Sequence, residues 1–279
     1  MEYLEGQLTE ERPDVEALAI VAEPVDEKIL ELLPNVRVVA NYGAGYDLVD
    51  VEACHARGVM VTNTPGVTSA ATADLTFGLI LALRRRIAAG DAFVRSGRWG
   101  SGWVDEPLKG DEVAGSTLGI VGLGRIGQAV ARRAEGFEMR VLYTRRRESE
   151  DPHYRSLEEL LAESDVVSLH VPLTDATRGL IDARRLALMR DGTALINTSR
   201  GQIVDEPALV AELASGRLQA GLDVFAAEPN VPPALFELPN VVMTPHLGTA
   251  TQTTRGAMTR VLVDNLLAVE AGQPPPNAV

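Results

Sequence analysis

Leu118-Gly119-Ile120-Val121-Gly122-Leu123-Gly124-Arg125-Ile126-Gly127 joins an apolar, strand-like run to the spacing Gly-x-Gly-x-x-Gly, and a helix-prone segment from Gln128 to Ala134 follows. Strand, glycine turn and helix in that order form the context of a dinucleotide fingerprint. Gly122 permits the tight turn and Gly124 lets backbone approach a pyrophosphate. Gly127 lets the helix pack close to the strand, and the helix N-terminus offers N–H groups to the phosphates; Arg125 and Ile126, between the glycines, are further candidate cofactor-binding residues. The expected ligand of this stretch is a dinucleotide.

Strands and helices alternate on both sides of the fingerprint. Upstream the pattern reads strand at 17–21, helix at 26–33 and strand at 36–40, followed by the glycine turn Asn41-Tyr42-Gly43-Ala44-Gly45-Tyr46-Asp47. A short helix at 51–57 and a strand at 59–61 end in Asn63-Thr64-Pro65-Gly66, and a long helix is expected from Ala70 to about Ala89. Residues 96–115 read as a loop. Downstream, strands fall at 140–143, 166–171, 193–197, 220–224 and 241–244, with helices at 157–163, 183–188 and 207–215 between them. A helix over 259–271 closes the chain, and Pro274-Pro275-Pro276 reads as an exposed tail. Such alternation predicts an α/β protein of two doubly wound parallel-sheet lobes separated by a cleft. The expected domains are a substrate domain of residues 1–67 and 250–279 and a Rossmann domain of residues 68–249.

Composition narrows the class. With 279 residues, 46% hydrophobic and only 4% aromatic, the chain can build a large aliphatic core. The formal charge of −13 argues against nucleic acid or an anionic membrane as partner, since both require a basic footprint. Cys54 is the only cysteine, so no internal disulfide can form and a reducing compartment is expected. No run approaches the ~18 apolar residues of a spanning helix, and Met1–Glu10 shows no basic-then-apolar pattern, so no secretory signal is expected in it. A cytoplasmic protein with no membrane or metal site is the expectation.

Three polar clusters follow predicted strands at the edge where open α/β sheets bind ligands. They are Asn197-Thr198-Ser199-Arg200-Gly201, Asp223-Val224-Phe225-Ala226-Ala227-Glu228-Pro229 and Thr244-Pro245-His246-Leu247-Gly248. An arginine can bind a carboxylate bidentately and polarise an adjacent carbonyl. A histidine can supply a proton near neutral pH, and a carboxylate bonded to it orients it and favours its charged form. His55 and His153 lie in polar surroundings and His170 ends a strand, so His246 is the candidate acid.

Taken with Asn41–Asp47, Asn63–Thr72 and His170–Thr174, these motifs resemble the D-isomer-specific 2-hydroxyacid dehydrogenase family over nearly the whole chain. Ala70–Phe77 and the Trp99…Trp103 loop look most like its glyoxylate/hydroxypyruvate reductase branch. The resemblance implies a Rossmann domain inserted into a smaller flavodoxin-like substrate domain, with Arg200, Glu228 and His246 as the catalytic trio. It implies that N–H groups of Ala44 and Gly45 hold the substrate carboxylate and that Trp103 closes the substrate pocket. Val171, Pro172, Thr177, Thr198, Asp223, His246 and Gly248 would line the cofactor. It also implies a homodimer with the helix from Ala70 in its interface. Met1-Glu2-Tyr3-Leu4 matches the family's second strand, so the substrate domain is expected to lack its first strand–helix unit.

About 20 residues past the fingerprint an acid would meet the ribose hydroxyls of NAD. This chain has Thr144-Arg145-Arg146-Arg147 there, which favours the 2′-phosphate of NADP(H), with NAD(H) as the other option. The expected reaction is reduction of glyoxylate or hydroxypyruvate to a D-2-hydroxyacid. The alternatives are a D-3-phosphoglycerate or phosphonate dehydrogenase, or a nucleotide-sensing interaction protein like the C-terminal-binding corepressors.

Overall fold

The computed structural model describes residues 8–100, 102 and 108–279. Trp103 and the segment Met1–Leu4 lie outside the described residues. The chain divides into two compact units, Met1–Thr68 with Thr251–Val279, and Ser69–Ala250.

The smaller unit opens with β1 (Ala17–Ile20), α1 (Glu27–Glu31), β2 (Val38–Asn41), α2 (Val51–Ala56) and β3 (Met60–Thr62). The three strands are parallel in the order β1-β2-β3. Every residue of β2 is buried, as a central parallel strand requires. Asp26 and Asp50 cap the two helices by accepting from the N–H groups of Ile29 and Ala53.

The larger unit contains α3 (Ser69–Arg84), α4 (Ile87–Arg95), β4 (Thr117–Val121), α5 (Arg125–Glu135), β5 (Arg140–Thr144), α6 (Leu157–Glu163), β6 (Val166–Leu169), α7 (Ala183–Leu186), β7 (Ala194–Asn197), α8 (Glu206–Ala214), β8 (Gln219–Leu222) and β9 (Val241–Met243). Its six parallel strands run in the order β5-β4-β6-β7-β8-β9. The order reverses at β4, between β5 and β6. That is the point in an open α/β sheet where ligands bind beyond the strand ends, and the fingerprint glycines follow β4 directly. β4, β6 and β7 are buried throughout, and helices on the two faces seal separate aliphatic layers against them. Phe77 of α3 stacks on Phe137 with ring centroids 5.2 Å apart.

The long helix expected over 70–89 is two helices. Arg86 sits in the left-handed region at φ 54° and ends the first, and its guanidinium donates to Pro239 O at 2.7 Å. Arg84 reaches Gly192 O and Asp111. The two arginines thus tie the end of α3 to neighbouring loops.

The smaller unit is completed by α9 (Gln252–Glu270). It starts seven residues before the expected 259, because Thr251 accepts from Thr254 N–H and so nucleates a first turn rich in poor helix formers. The proline tail is not free: Pro275 is buried, Ala278 bridges Thr62, and Val279 N–H donates to Val61 O at 2.9 Å. No helix among the described residues is long and apolar enough to cross a membrane.

Candidate active site

The fingerprint glycines each answer to a different constraint. Gly122 has φ 98°, and a Cβ there would lie 2.8 Å from His170 O. A Cβ on Gly127 would collide with Gly122 O, so α5 can approach the turn only with hydrogen at that position. Gly124 faces open space. Among the described residues, six helices begin on a side-chain cap, from Asp26, Asp50, Ser156, Asp182, Asp205 and Thr251, whereas α4 begins on the left-handed Arg86 without one. α5 also begins with no side-chain cap, on Gly124, and Arg125 stands exposed in its first turn. An uncapped N-terminus bearing a cation instead of an acid opposes its own dipole, and an anion placed there resolves both problems. These residues fit a dinucleotide pyrophosphate.

Beyond β5, Arg145, Arg146 and Arg147 are all exposed. Arg145 lies over the Tyr143 ring, 5.9 Å from its centroid, and donates to Arg147 O at 3.2 Å. Thr144 is half-buried at the strand end. After β6, Thr177 Oγ1 donates to Pro172 O at 2.6 Å and accepts from Thr174 N–H, which fixes the turn beyond Val171. Thr198, buried at the end of β7, shares a 3.0 Å hydroxyl contact with Thr76 of α3. No signal in the sequence singles out Thr76, because a threonine inside an apolar helix reads as core.

Arg200 follows β7 in extended conformation, and Asn197 Nδ2 fixes its carbonyl at 2.8 Å. Glu228 and His246 meet: His246 Nδ1 and Glu228 Oε2 are 2.8 Å apart. The other carboxylate oxygen, Oε1, accepts from Phe225 N–H at 3.0 Å. Burial pushes the Glu228 carboxyl upward, but the His246 hydrogen bond, the Phe225 N–H and the charges of His246 and Arg200 together hold it below its ordinary value. With Nδ1 engaged, Nε2 of His246 has no partner among the described residues, and the side chain is 48% exposed.

Asp223 lies beneath this histidine and is fully buried. Its carboxylate accepts from Thr244 Oγ1 at 2.6 Å, Leu247 N–H at 2.7 Å and Gly248 N–H at 2.9 Å, and its carbonyl accepts from His246 N–H at 2.9 Å. Burial raises its pKa and those donors oppose the rise. The clasp matters because His246 adopts φ 54°, a left-handed conformation costing roughly 1–3 kcal/mol in a non-glycine residue unless neighbours impose it. His170 is a different kind of histidine. Its Nε2 contacts Ser168 Oγ at 2.8 Å, and burial pushes its pKa down to about 4, so it stays neutral near pH 7.

In the smaller unit the turn after β2 is organised by its carbonyls. Gly43 O accepts from Asn41 Nδ2 and Thr64 N–H, Ala44 O from Asn63 Nδ2 at 2.8 Å, and Gly45 O from Asn41 Nδ2 at 2.9 Å. In a trans peptide the N–H is antiparallel to the preceding C=O. Three inward carbonyls therefore turn the N–H groups of Ala44, Gly45 and Tyr46 outward, and none of them has a partner among the described residues. Successive free N–H groups form an anion-binding concavity.

The described residues contain no group of three or more histidine, cysteine or acidic side chains placed to hold a metal. Residues 77–248 match the family model described as D-isomer specific 2-hydroxyacid dehydrogenase, NAD binding domain. The glyoxylate reductase of Thermococcus litoralis is 48% identical over 98% of this chain and 86% of its own length. Among solved structures, the NADPH-dependent glyoxylate/hydroxypyruvate reductase of Sinorhizobium meliloti, in complex with NADP and malonate, superposes with a TM-score of 0.89 at 38% identity, covering 95% of this chain and 84% of that one. The D-lactate dehydrogenase of Aquifex aeolicus, complexed with NAD and lactic acid, gives 0.86 at 32% identity, covering 95% and 86%.

Proposed function

The chain belongs to the D-isomer-specific 2-hydroxyacid dehydrogenase family and is an NAD(P)-dependent oxidoreductase, and we propose that it reduces glyoxylate and hydroxypyruvate, using NADPH in preference to NADH. The observation that carries this reading is the 2.8 Å pair of His246 Nδ1 and Glu228 Oε2, which commits one ring nitrogen and leaves the other available to a substrate. The reduced nicotinamide, when bound, supplies the hydride. Gly122, Gly124, Arg125, Ile126 and Gly127 hold its pyrophosphate, while Thr144, Arg145 and Arg146 hold the adenosine end. Val171, Pro172, Thr177, Thr198, Asp223 and Gly248 shape the rest of its bed.

Arg200 grips the 2-oxoacid through its guanidinium fork and polarises the keto group. His246, protonated, gives its Nε2 proton to the keto oxygen as that oxygen gains charge. Glu228 keeps the imidazole turned the right way and stabilises its charged form, and Asp223 holds the loop that carries it. The N–H groups of Ala44 and Gly45 bind the substrate carboxylate. A homodimer fits the same reading, since α4 has no buried residue and exposes Ile87 and Val94; light scattering from a single protomer mass would refute it.

Absorbance assays with glyoxylate, hydroxypyruvate and pyruvate, each with NADPH and NADH, test the reading directly. Turnover of the first two is expected. Nucleotide binding without turnover of any 2-oxoacid would favour an interaction protein that senses the cofactor.

Glu228→Gln keeps the shape of the carboxyl group and removes its charge. The imidazolium then loses its counter-charge, the proton leaves His246 more easily, and the upper limb of the pH–rate profile for reduction should move to lower pH. An unmoved limb would separate Glu228 from the acid.

Cofactor choice should yield to the β5 turn. A charge-assisted hydrogen bond from guanidinium to phosphate contributes roughly 1.5–3 kcal/mol, which corresponds to about ten- to a hundredfold in kcat/KM. Arg145→Asp with Arg146→Ala repels the 2′-phosphate and offers a carboxylate to the ribose hydroxyls. The NADPH/NADH preference should fall at least about tenfold, with the glyoxylate KM nearly unchanged. A wild type that already prefers NADH would show that the arginines are only an exposed basic turn.

A further inference from the structure

The turn carrying Arg200 and the loop carrying Glu228 are fastened together by side chains with no part in the chemistry above. A Cβ on Gly201 would collide with the backbone of Phe225 and Ala226, so the two segments touch main chain to main chain. On either side of that contact, Gln202 Nε2 donates to Ala226 O at 2.8 Å and Ala226 N–H donates to Glu206 Oε1 at 2.9 Å. Both polar backbone groups of residue 226 are thus held from the segment 202–206. The adjacent N–H, that of Phe225, is the one bound to Glu228 Oε1, and Glu228 Oε2 in turn holds His246.

A glutamate side chain on an exposed loop has several rotamers, and only a fixed loop keeps one of them aimed at His246. We propose that Gln202 and Glu206 are positioning residues for the proton-transferring pair: by clamping residue 226 they keep the Phe225 N–H on Glu228 and so keep the Glu228 carboxylate on His246. This rests on the reading of Glu228 and His246 as the acid–base pair. Among the described residues, the charges acting on that pair are Arg200 from the turn after β7 and Asp223 from the end of β8, and Glu206 from α8 is joined to it through the backbone of Ala226. Releasing the clamp leaves Arg200 and Asp223 in place and frees Glu228, so the proton on His246 should be held less well.

The test uses Gln202→Leu, Glu206→Ala and Glu206→Gln in the intact protein. Two readouts are needed: the pH–rate profile for glyoxylate reduction, and the titration of the His246 ring followed by NMR. Losing one clamp bond should lower kcat about tenfold in Gln202→Leu and Glu206→Ala, with NADPH binding retained. In both, the upper pH limb and the ring titration should move to lower pH, the direction expected for Glu228→Gln. Glu206→Gln also removes the charge but keeps an oxygen to accept from Ala226 N–H, so its limb should stay with the wild type. Equal movement in Glu206→Ala and Glu206→Gln would assign the effect to charge alone and overturn the clamp. So would an unmoved limb and ring titration in Gln202→Leu and Glu206→Ala proteins that bind NADPH normally. The NMR titration needs no turnover, so a wild type inactive on every 2-oxoacid would refute the reductase reading while the ring titration of the variants still decides the clamp.

Discussion

Replacing His246 with alanine should lower kcat for 2-oxoacid reduction by about 10²–10⁴, the range over which a positioned general acid contributes. The keto oxygen gains a full charge as hydride arrives, and without the imidazolium only water can protonate it. His246 contributes no capping group to the glycine turn after β4, so NADPH should bind His246→Ala as it binds the wild type. The protein should also stay folded, since the side chain is half exposed and alanine relieves nothing that Asp223 must hold. Single-turnover kinetics with saturating NADPH isolate the chemical step. Near-normal turnover would remove His246 as the proton donor, and His170 could not replace it, because burial keeps that imidazole neutral.

Arg200→Lys is the second large effect. Lysine keeps the charge but loses the planar fork that pairs two parallel N–H groups with a carboxylate and an adjacent keto oxygen. Removing one such donor from a developing oxyanion typically costs about 10²–10³ in rate, so kcat/KM for glyoxylate should fall by that amount. The loss should divide between a higher KM and a lower kcat, because the guanidinium serves both binding and polarisation. Arg200 also contributes to holding the Glu228 carboxyl low, and lysine preserves that charge, so the pH profile should move little. A lysine variant with wild-type kcat/KM would show that Arg200 does not touch substrate.

The stretch around Gly122 was legible because strand, turn and helix each leave a local mark: a buried apolar run, glycines at fixed offsets and a helical pattern. The strand-end clusters were legible for a related reason. In a buried parallel sheet the strands are apolar throughout, so Arg200, Glu228 and His246 stand out where each run stops. Local patterning could not show the break at Arg86, since arginine is a good helix former and only the backbone conformation of Arg86 divides α3 from α4. Nor could it show that the proline tail docks: Asn277 N–H reaches Asn265 Oδ1, and Asn265 Nδ2 reaches Asn63 O, contacts between residues far apart in sequence. Gln202 and Glu206 were invisible for the same reason, because their partner, residue 226, offers only its backbone. The resemblance implies that Asp223 lines the cofactor; the structure adds that its carboxylate also fastens the histidine loop.

Hydride transfer from a reduced nicotinamide to the carbonyl carbon of a small 2-oxoacid can be followed with an isotope. The most direct measurement uses NADPH stereospecifically deuterated at C4, each C4 face in turn, with glyoxylate, and reads the product by mass spectrometry and NMR. Glycolate carrying a single deuterium at C2 is expected from one labelled face only, with transfer of that label slowed by about 10²–10⁴ in His246→Ala. Oxidation of NADPH that leaves the product unlabelled from both faces, or binding of NADPH with no glycolate formed, would contradict hydride transfer to the 2-oxoacid.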